Sequence, residues 1–182
     1  MVKGFLLGCF VTALILSGGL FYYFASGMAP AATADPPMPF EKKLASMALN
    51  AHIKKQPATH SPVAADELNF LAGAEVYKQR CASCHGLPGQ PPVDYVTTMY
   101  PKPPQLFHGN GVTDDPPSET YWKVANGIRL TGMPAFKTKL TENQEWQVSL
   151  LVAHANEIPD SVKKALVSDS VTTVPAHEAP AK

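Results

Sequence analysis

Charge is the first thing this sequence has little of. Of its 182 residues only 16% are charged, and 15 basic against 15 acidic side chains leave no formal net charge. Without a positive excess there is no phosphate-neutralising field, which excludes nucleic acid as the main partner. Cysteine is scarce too. There are three, and Cys9 falls inside an apolar run, leaving Cys81 and Cys84 for the rest of the chain. That is too few for a structural zinc site, which takes four ligands, usually two cysteine pairs or one pair with two spaced histidines. His52, His60, His108 and His154 are scattered with no such spacing. No stretch reads as a convincing strand, so a thioredoxin-like dithiol has no β/α fold to sit in. A disulfide across two intervening residues would close almost no loop and stabilise little. No internal repeat is present either.

What the sequence does have begins at its N-terminus. From Gly4 to Ala34 no residue is charged, and FLLGCFVTALILSGGLFYYFA is about long enough, at ~1.5 Å per residue, to cross a bilayer. Gly18-Gly19 is tolerated in a membrane span, Tyr22 and Tyr23 suit an interfacial anchor, and Lys3 predicts a cytoplasmic N-terminus with export of the remainder. Ala32-Thr33-Ala34 resembles a signal-peptidase site, but the apolar run exceeds the ~7–15 residues usual for a signal peptide, so a retained anchor is the reading preferred. Cys9 reads as a small apolar residue facing lipid, because the run before it is too short for an export signal.

The expected organisation has four parts: a transmembrane anchor over residues 1–28, a Pro/Ala-rich tether over 29–65, a folded domain over 66–158, and a mostly disordered tail over 159–182, with room for a turn of helix over 160–166 and disorder expected after Ser168. Within the tether, Phe40, Leu44, Met47, Ala48 and Ala51 recur at helical spacing to about residue 55. A helix over about 66–80 is capped by Asp66, and its Gly73 and Tyr77 lie one turn apart. A glycine there costs ~1 kcal/mol against alanine, which makes sense if another helix packs on the bare backbone. The 86–117 stretch is rich in breakers. Ser118 is expected to cap a helix ended by Gly127, and Thr141 with Gln144 makes a capping box for a last helix carrying Trp146, Leu150, Val152 and Ile158.

The stretch Arg80-Cys81-Ala82-Ser83-Cys84-His85-Gly86 carries the chemistry. C-x-x-C-H is the attachment signature for c-type haem. Two thiols add to the two vinyl groups, the two-residue gap fits their separation, and the histidine that follows binds iron from the proximal side. A second ligand is offered by Met133, in the loop GIRLTGMPAF, 48 residues after the histidine. Met38, Met47 and Met99 read as gap-filling core residues. Imidazole plus thioether fills both axial positions, which favours electron transfer over catalysis. A single attachment motif speaks against a two-haem peroxidase.

At these residues the chain resembles the class I cytochrome c family, specifically the small bacterial membrane-anchored monohaem cytochromes. The resemblance covers about 66–158 and rests on Gly73 and Tyr77, the haem motif, PPQL (103–106), the GMP loop and Trp146. It implies an all-α fold with the first and last helices crossing at the glycine around one covalent haem c with its iron, plus one N-terminal transmembrane helix. It also implies that the carbonyl of Pro104 accepts the other ring N–H of His85, and that Leu106 packs on the haem. Tyr121, Trp122, Ile128, Arg129 and Phe136 are expected near the ring or its propionates, Arg129 as the propionate partner.

The function expected is a one-electron carrier, not an enzyme, on the periplasmic face of a bacterial inner membrane, with the bilayer met through residues 4–28. Its donor would be a quinol-oxidising complex or a dehydrogenase, and its acceptor a terminal oxidase or reductase. If flexible, a tether of ~37 residues reaches about 30–35 Å, and Lys102, Lys123, Lys137 and Lys139 flank the haem loops where they would steer an acidic partner. Two alternatives stand beside it: a fixed subunit of a larger respiratory complex, and a haem-based ligand sensor should Met133 not bind iron.

Overall fold

The computed structural model describes residues 2–57, 59–107 and 115–168. These contain α1 (Val2–Ala25), α2 (Glu41–Ile53), α3 (Glu67–Arg80), α4 (Ala82–His85), a 3-10 helix (Asp94–Thr98), α5 (Pro117–Asn126), α6 (Glu142–Ala153) and α7 (Asp160–Val167). Among the described residues there is no strand, only one isolated bridge between Leu87 and Gln90. The chain divides into two compact units, Met1–Ala48 and Leu49–Lys182. The first is dominated by α1, which is long and apolar enough to cross a membrane and buries none of its residues.

The second unit is a helical domain built on α3, α5, α6 and α7. Asp66 caps α3 by accepting the backbone N–H of Asn69, and Thr141 and Gln144 close the expected capping box on α6. The helices α3 and α6 meet at Gly73. A Cβ there would lie 2.7 Å from the carbonyl carbon of Gln147 and 3.2 Å from the Cβ of Leu151, so the glycine is a requirement of space. Around the crossing lie Phe70, Ala74, Tyr77, Val148, Leu150 and Leu151, all buried. Gln147 also donates to Asn69 across the same pair of helices.

Three details depart from the sequence reading. Helix α5 begins at Pro117 with Pro116 before it, and no side chain caps it; proline's fixed φ and missing N–H suit the first turn, and Ser118 sits inside. Packing does not stop at 158. Beyond Pro159, α7 lays Val162 and Leu166, both 0% exposed, onto the core against α3, so the first part of the expected tail is structural. The rest of that tail, 169–182, lies outside the described residues, as does His108. Finally, the later part of the expected tether sits on the domain: Ile53 is buried, His52 packs on Trp122 with ring centroids 5.3 Å apart, and Val63 touches the core.

Candidate haem site

The backbone from Cys81 to Gly86 is a single helical turn. The N–H groups of Cys84 and His85 both donate to the carbonyl of Cys81, and that of Gly86 donates to Ala82. Positions i, i+3 and i+4 of a helical turn share a face, so Cys81, Cys84 and His85 are presented together. Gly86 ends the turn at φ 72, where a Cβ would also lie 2.9 Å from the carbonyl oxygen of Gln90. Its own carbonyl is buried and accepts the Tyr77 hydroxyl at 2.8 Å, and Tyr77 is 0% exposed and meets Phe107 edge to face. Thus α3 locks the turn from beneath.

The His85 ring is fixed by Pro104. Nδ1 lies 2.7 Å from the Pro104 carbonyl oxygen, which can only accept, so Nδ1 carries the proton and Nε2 the lone pair. Burial lowers the pKa of His85 despite that hydrogen bond, which keeps the imidazole neutral and able to bind a metal. Burial, then the neighbouring Cys84, pushes the free Cys81 thiol up to about 12, so before any covalent attachment it is a protonated thiol at neutral pH. Neither cysteine is in a disulfide, and among the described residues no three His, Cys, Asp or Glu side chains converge on a metal position.

Met133 is placed by a loop that bonds mainly to itself. Ile128 N–H donates to the Met133 carbonyl, Met133 N–H to the Thr131 hydroxyl at 3.1 Å, and that hydroxyl to the Ile128 carbonyl. Gly127 makes the entry possible: its φ is 67, and a Cβ would stand 2.7 Å from both the Ala135 nitrogen and the Pro134 carbonyl carbon. Beyond the loop, Phe136 and Lys137 donate to Val124 and Ala125 at the end of α5.

Cys81, Leu106, Met133 and Phe136 all pack, partly buried, against the same core cluster. Ile128 is half-buried and Arg129 exposed. Tyr121 stacks on Trp146 at 4.2 Å, and Trp122 meets His52, so these two rings have protein partners of their own. Two further neighbours are Met99, which reads from sequence as a gap-filling core residue, and Phe107, which the sequence does not single out. Phe107 directly follows Leu106 in the PPQL stretch, and that adjacency was the available signal.

Residues 68–150 match the family described as cytochrome C oxidase, cbb3-type, subunit III. The match supports a class I c-type cytochrome family for this domain. No curated protein and no solved structure matches the chain. A c-type cytochrome domain carries covalent haem c with iron and belongs to haem-based electron transfer. The donor set fits that group: two thiols and an imidazole on one helical turn, the imidazole already oriented through Nδ1, and a thioether in a separate loop packed on the same core.

Proposed function

We propose that this chain is a one-electron carrier tethered to the periplasmic face of a bacterial inner membrane, receiving electrons from a quinol-oxidising complex or dehydrogenase and passing them to a terminal oxidase or reductase. The observation that carries the reading is the Cys81–His85 turn with its imidazole held by Pro104. When bound, haem c supplies an iron that gains and loses one electron. Cys81 and Cys84 would hold it by thioether bonds, with His85 Nε2 and the Met133 sulfur as its iron donors. Leu106, Ile128 and Phe136 would help exclude water from the bound group, Tyr121 and Trp122 would lie near it while keeping their partners Trp146 and His52, and the exposed Arg129 would pair with a propionate. A histidine and a methionine donor together would leave that iron no open position for a substrate. Helix α1 holds the cytochrome near membrane partners, so local concentration substitutes for tight binding. Exposed Lys102, Lys137 and Lys139 steer an acidic partner; Lys123 is taken up by Asp115 at 2.8 Å and Glu119 at 2.9 Å.

The match to an oxidase subunit family favours a second reading, a fixed subunit of a respiratory complex. Purification in mild detergent separates the two: a carrier leaves its partners, a subunit keeps them in fixed ratio. The core of both readings is tested by expression in a host competent for c-type maturation. The protein should be red, with covalent haem lost in the Cys81→Ala/Cys84→Ala double variant. The oxidised protein should show the methionine–iron charge-transfer band near the red end of the spectrum, and Met133→Ala should lack it. Colourless native protein would end the proposal, and a missing band would favour the ligand sensor.

A further inference from the structure

We propose that the segment Asp94–Pro104 is a brace that holds both axial ligands at once, with Met99 as the positioning residue for Met133. The inference rests on Met133 being the distal ligand. One end of the segment is anchored by Val96, buried at 3% exposed, in the 3-10 helix. Met99 follows as the extended cap of that helix, its N–H donating to the Val96 carbonyl at 3.2 Å. Five residues later Pro104 accepts from His85.

Between these points the Met99 side chain, half-buried, crosses to the methionine loop. Its methyl carbon occupies the space that a Cβ on Gly132 would need, and its sulfur lies 3.9 Å from that same point. Gly132 does not have the positive φ that demands glycine, unlike Gly127 and Gly86. Its lack of a side chain therefore serves the contact, letting a thioether lie flat on the backbone immediately before Met133.

The loop needs such a contact. Its own hydrogen bonds join Ile128, Thr131 and Met133 to one another rather than to a helix, so packing must help to hold it. Leu130 at its tip is 91% exposed with φ 60, so it contributes no burial. The bonds to α5 begin only at Phe136. Met99 presses on the loop next to the ligand, from a segment that also fixes the proximal imidazole. Both ligand positions are thereby referred to one short stretch of backbone.

The test uses the haem-loaded full-length protein, with the red charge-transfer band and imidazole as an external ligand that competes with Met133. Weakening the loop raises the fraction of molecules whose sixth position is open, and apparent imidazole affinity rises in proportion. Met99→Ala should bind imidazole roughly tenfold more tightly, about 1.4 kcal/mol of lost hold, with a weaker band. Met99→Leu, which keeps length and bulk, should behave as wild type. Gly132→Ala should reproduce Met99→Ala by filling the same space, and it keeps the question open to test if Met99→Ala does not fold. Unchanged imidazole affinity in both Met99→Ala and Gly132→Ala would overturn the brace. So would a Met99→Leu protein as loose as Met99→Ala, since sulfur rather than packing would then matter. A Met133→Ala protein that keeps the band would instead remove the ligand assignment itself, and one that loses it only together with Met99→Ala would make Met99 a ligand.

Discussion

The two sides of the candidate haem site are built on different principles. The histidine side belongs to the core: its turn continues directly from α3, a fully buried tyrosine bonds its last carbonyl, and Pro104 orients its ring. The methionine side is a loop hung between α5 and α6, closed by short-range bonds, entered through a left-handed glycine and pressed by one flexible side chain. The first is fixed by the fold and lost only with it. The second is held by its own short-range bonds and by packing of Met133 on the core. If the proposed ligands hold haem, a site made this way should keep its covalent and histidine attachments under conditions that release the methionine.

That asymmetry is easiest to break at Gly127. Alanine there must hold φ near 67, costing about 1–2 kcal/mol, and its methyl meets the backbone of Pro134 and Ala135, so a total of about 3 kcal/mol falls on the loop. The expected outcome is loss of the red band in most molecules, with helix content and covalent haem retained. Loss of haem together with the band would show that the two sides do not separate. A smaller change sharpens the histidine side. Tyr77→Phe leaves the buried Gly86 carbonyl without its partner, which costs about 1–3 kcal/mol. Each kilocalorie lowers the melting temperature of a domain this size by roughly 4–8 °C. The midpoint should fall while the red band survives below the transition. A Tyr77→Phe protein as stable as wild type would mean that α3 does not lock the turn.

The same difference governs what the sequence made legible. The C-x-x-C-H turn could be read directly because its chemistry dictates both residue types and spacing, and the capping box on α6 because Thr141 and Gln144 act within one turn. Gly73 was legible as a helix crossing, since a mid-helix glycine needs a reason. Contacts between distant segments were not. Met99 read as a core filler because nothing in its neighbourhood mentions Gly132. Helix α7 reads from sequence as no more than an added turn over 160–166, because eight residues with only two buried apolar side chains give a weak pattern until α3 is in place to receive them. Leu68 is apolar yet 76% exposed, because it lies in the first turn of α3, ahead of the crossing at Gly73. Helix α6 is buried almost all round, from Glu145 to Val152, so its pattern could not show that a carboxylate lies inside.

That carboxylate supplies the smallest prediction, one that touches neither ligand. Glu145 is 3% exposed and one oxygen, Oε1, has no hydrogen-bond partner. Burial raises its pKa and the nearby Glu142 adds to this, while Lys137 and the hydrogen bond from Tyr121 pull the other way without cancelling it. A carboxyl whose pKa is higher folded than unfolded favours the folded state when protonated. That contribution is complete below the unfolded value, near 4.3, and disappears as pH rises through the folded one. Glu145→Gln removes the charge but not the shape. It should therefore raise the melting temperature at pH 7–8, by an amount corresponding to about 1 kcal/mol or less, and the advantage should shrink to nothing on acidification below about pH 4. Thermal melts of both proteins across that range check it, and a difference independent of pH would show that the buried charge is not the cause. Because Glu145 lies on α6, outside the Cys81–His85 turn and the methionine loop, the red band should be equal in the two proteins at every pH where both are folded. A band that changed with Glu145 would mean that the loop feels the core behind it, and the division between a fold-fixed proximal side and a separately held distal side would have to be redrawn.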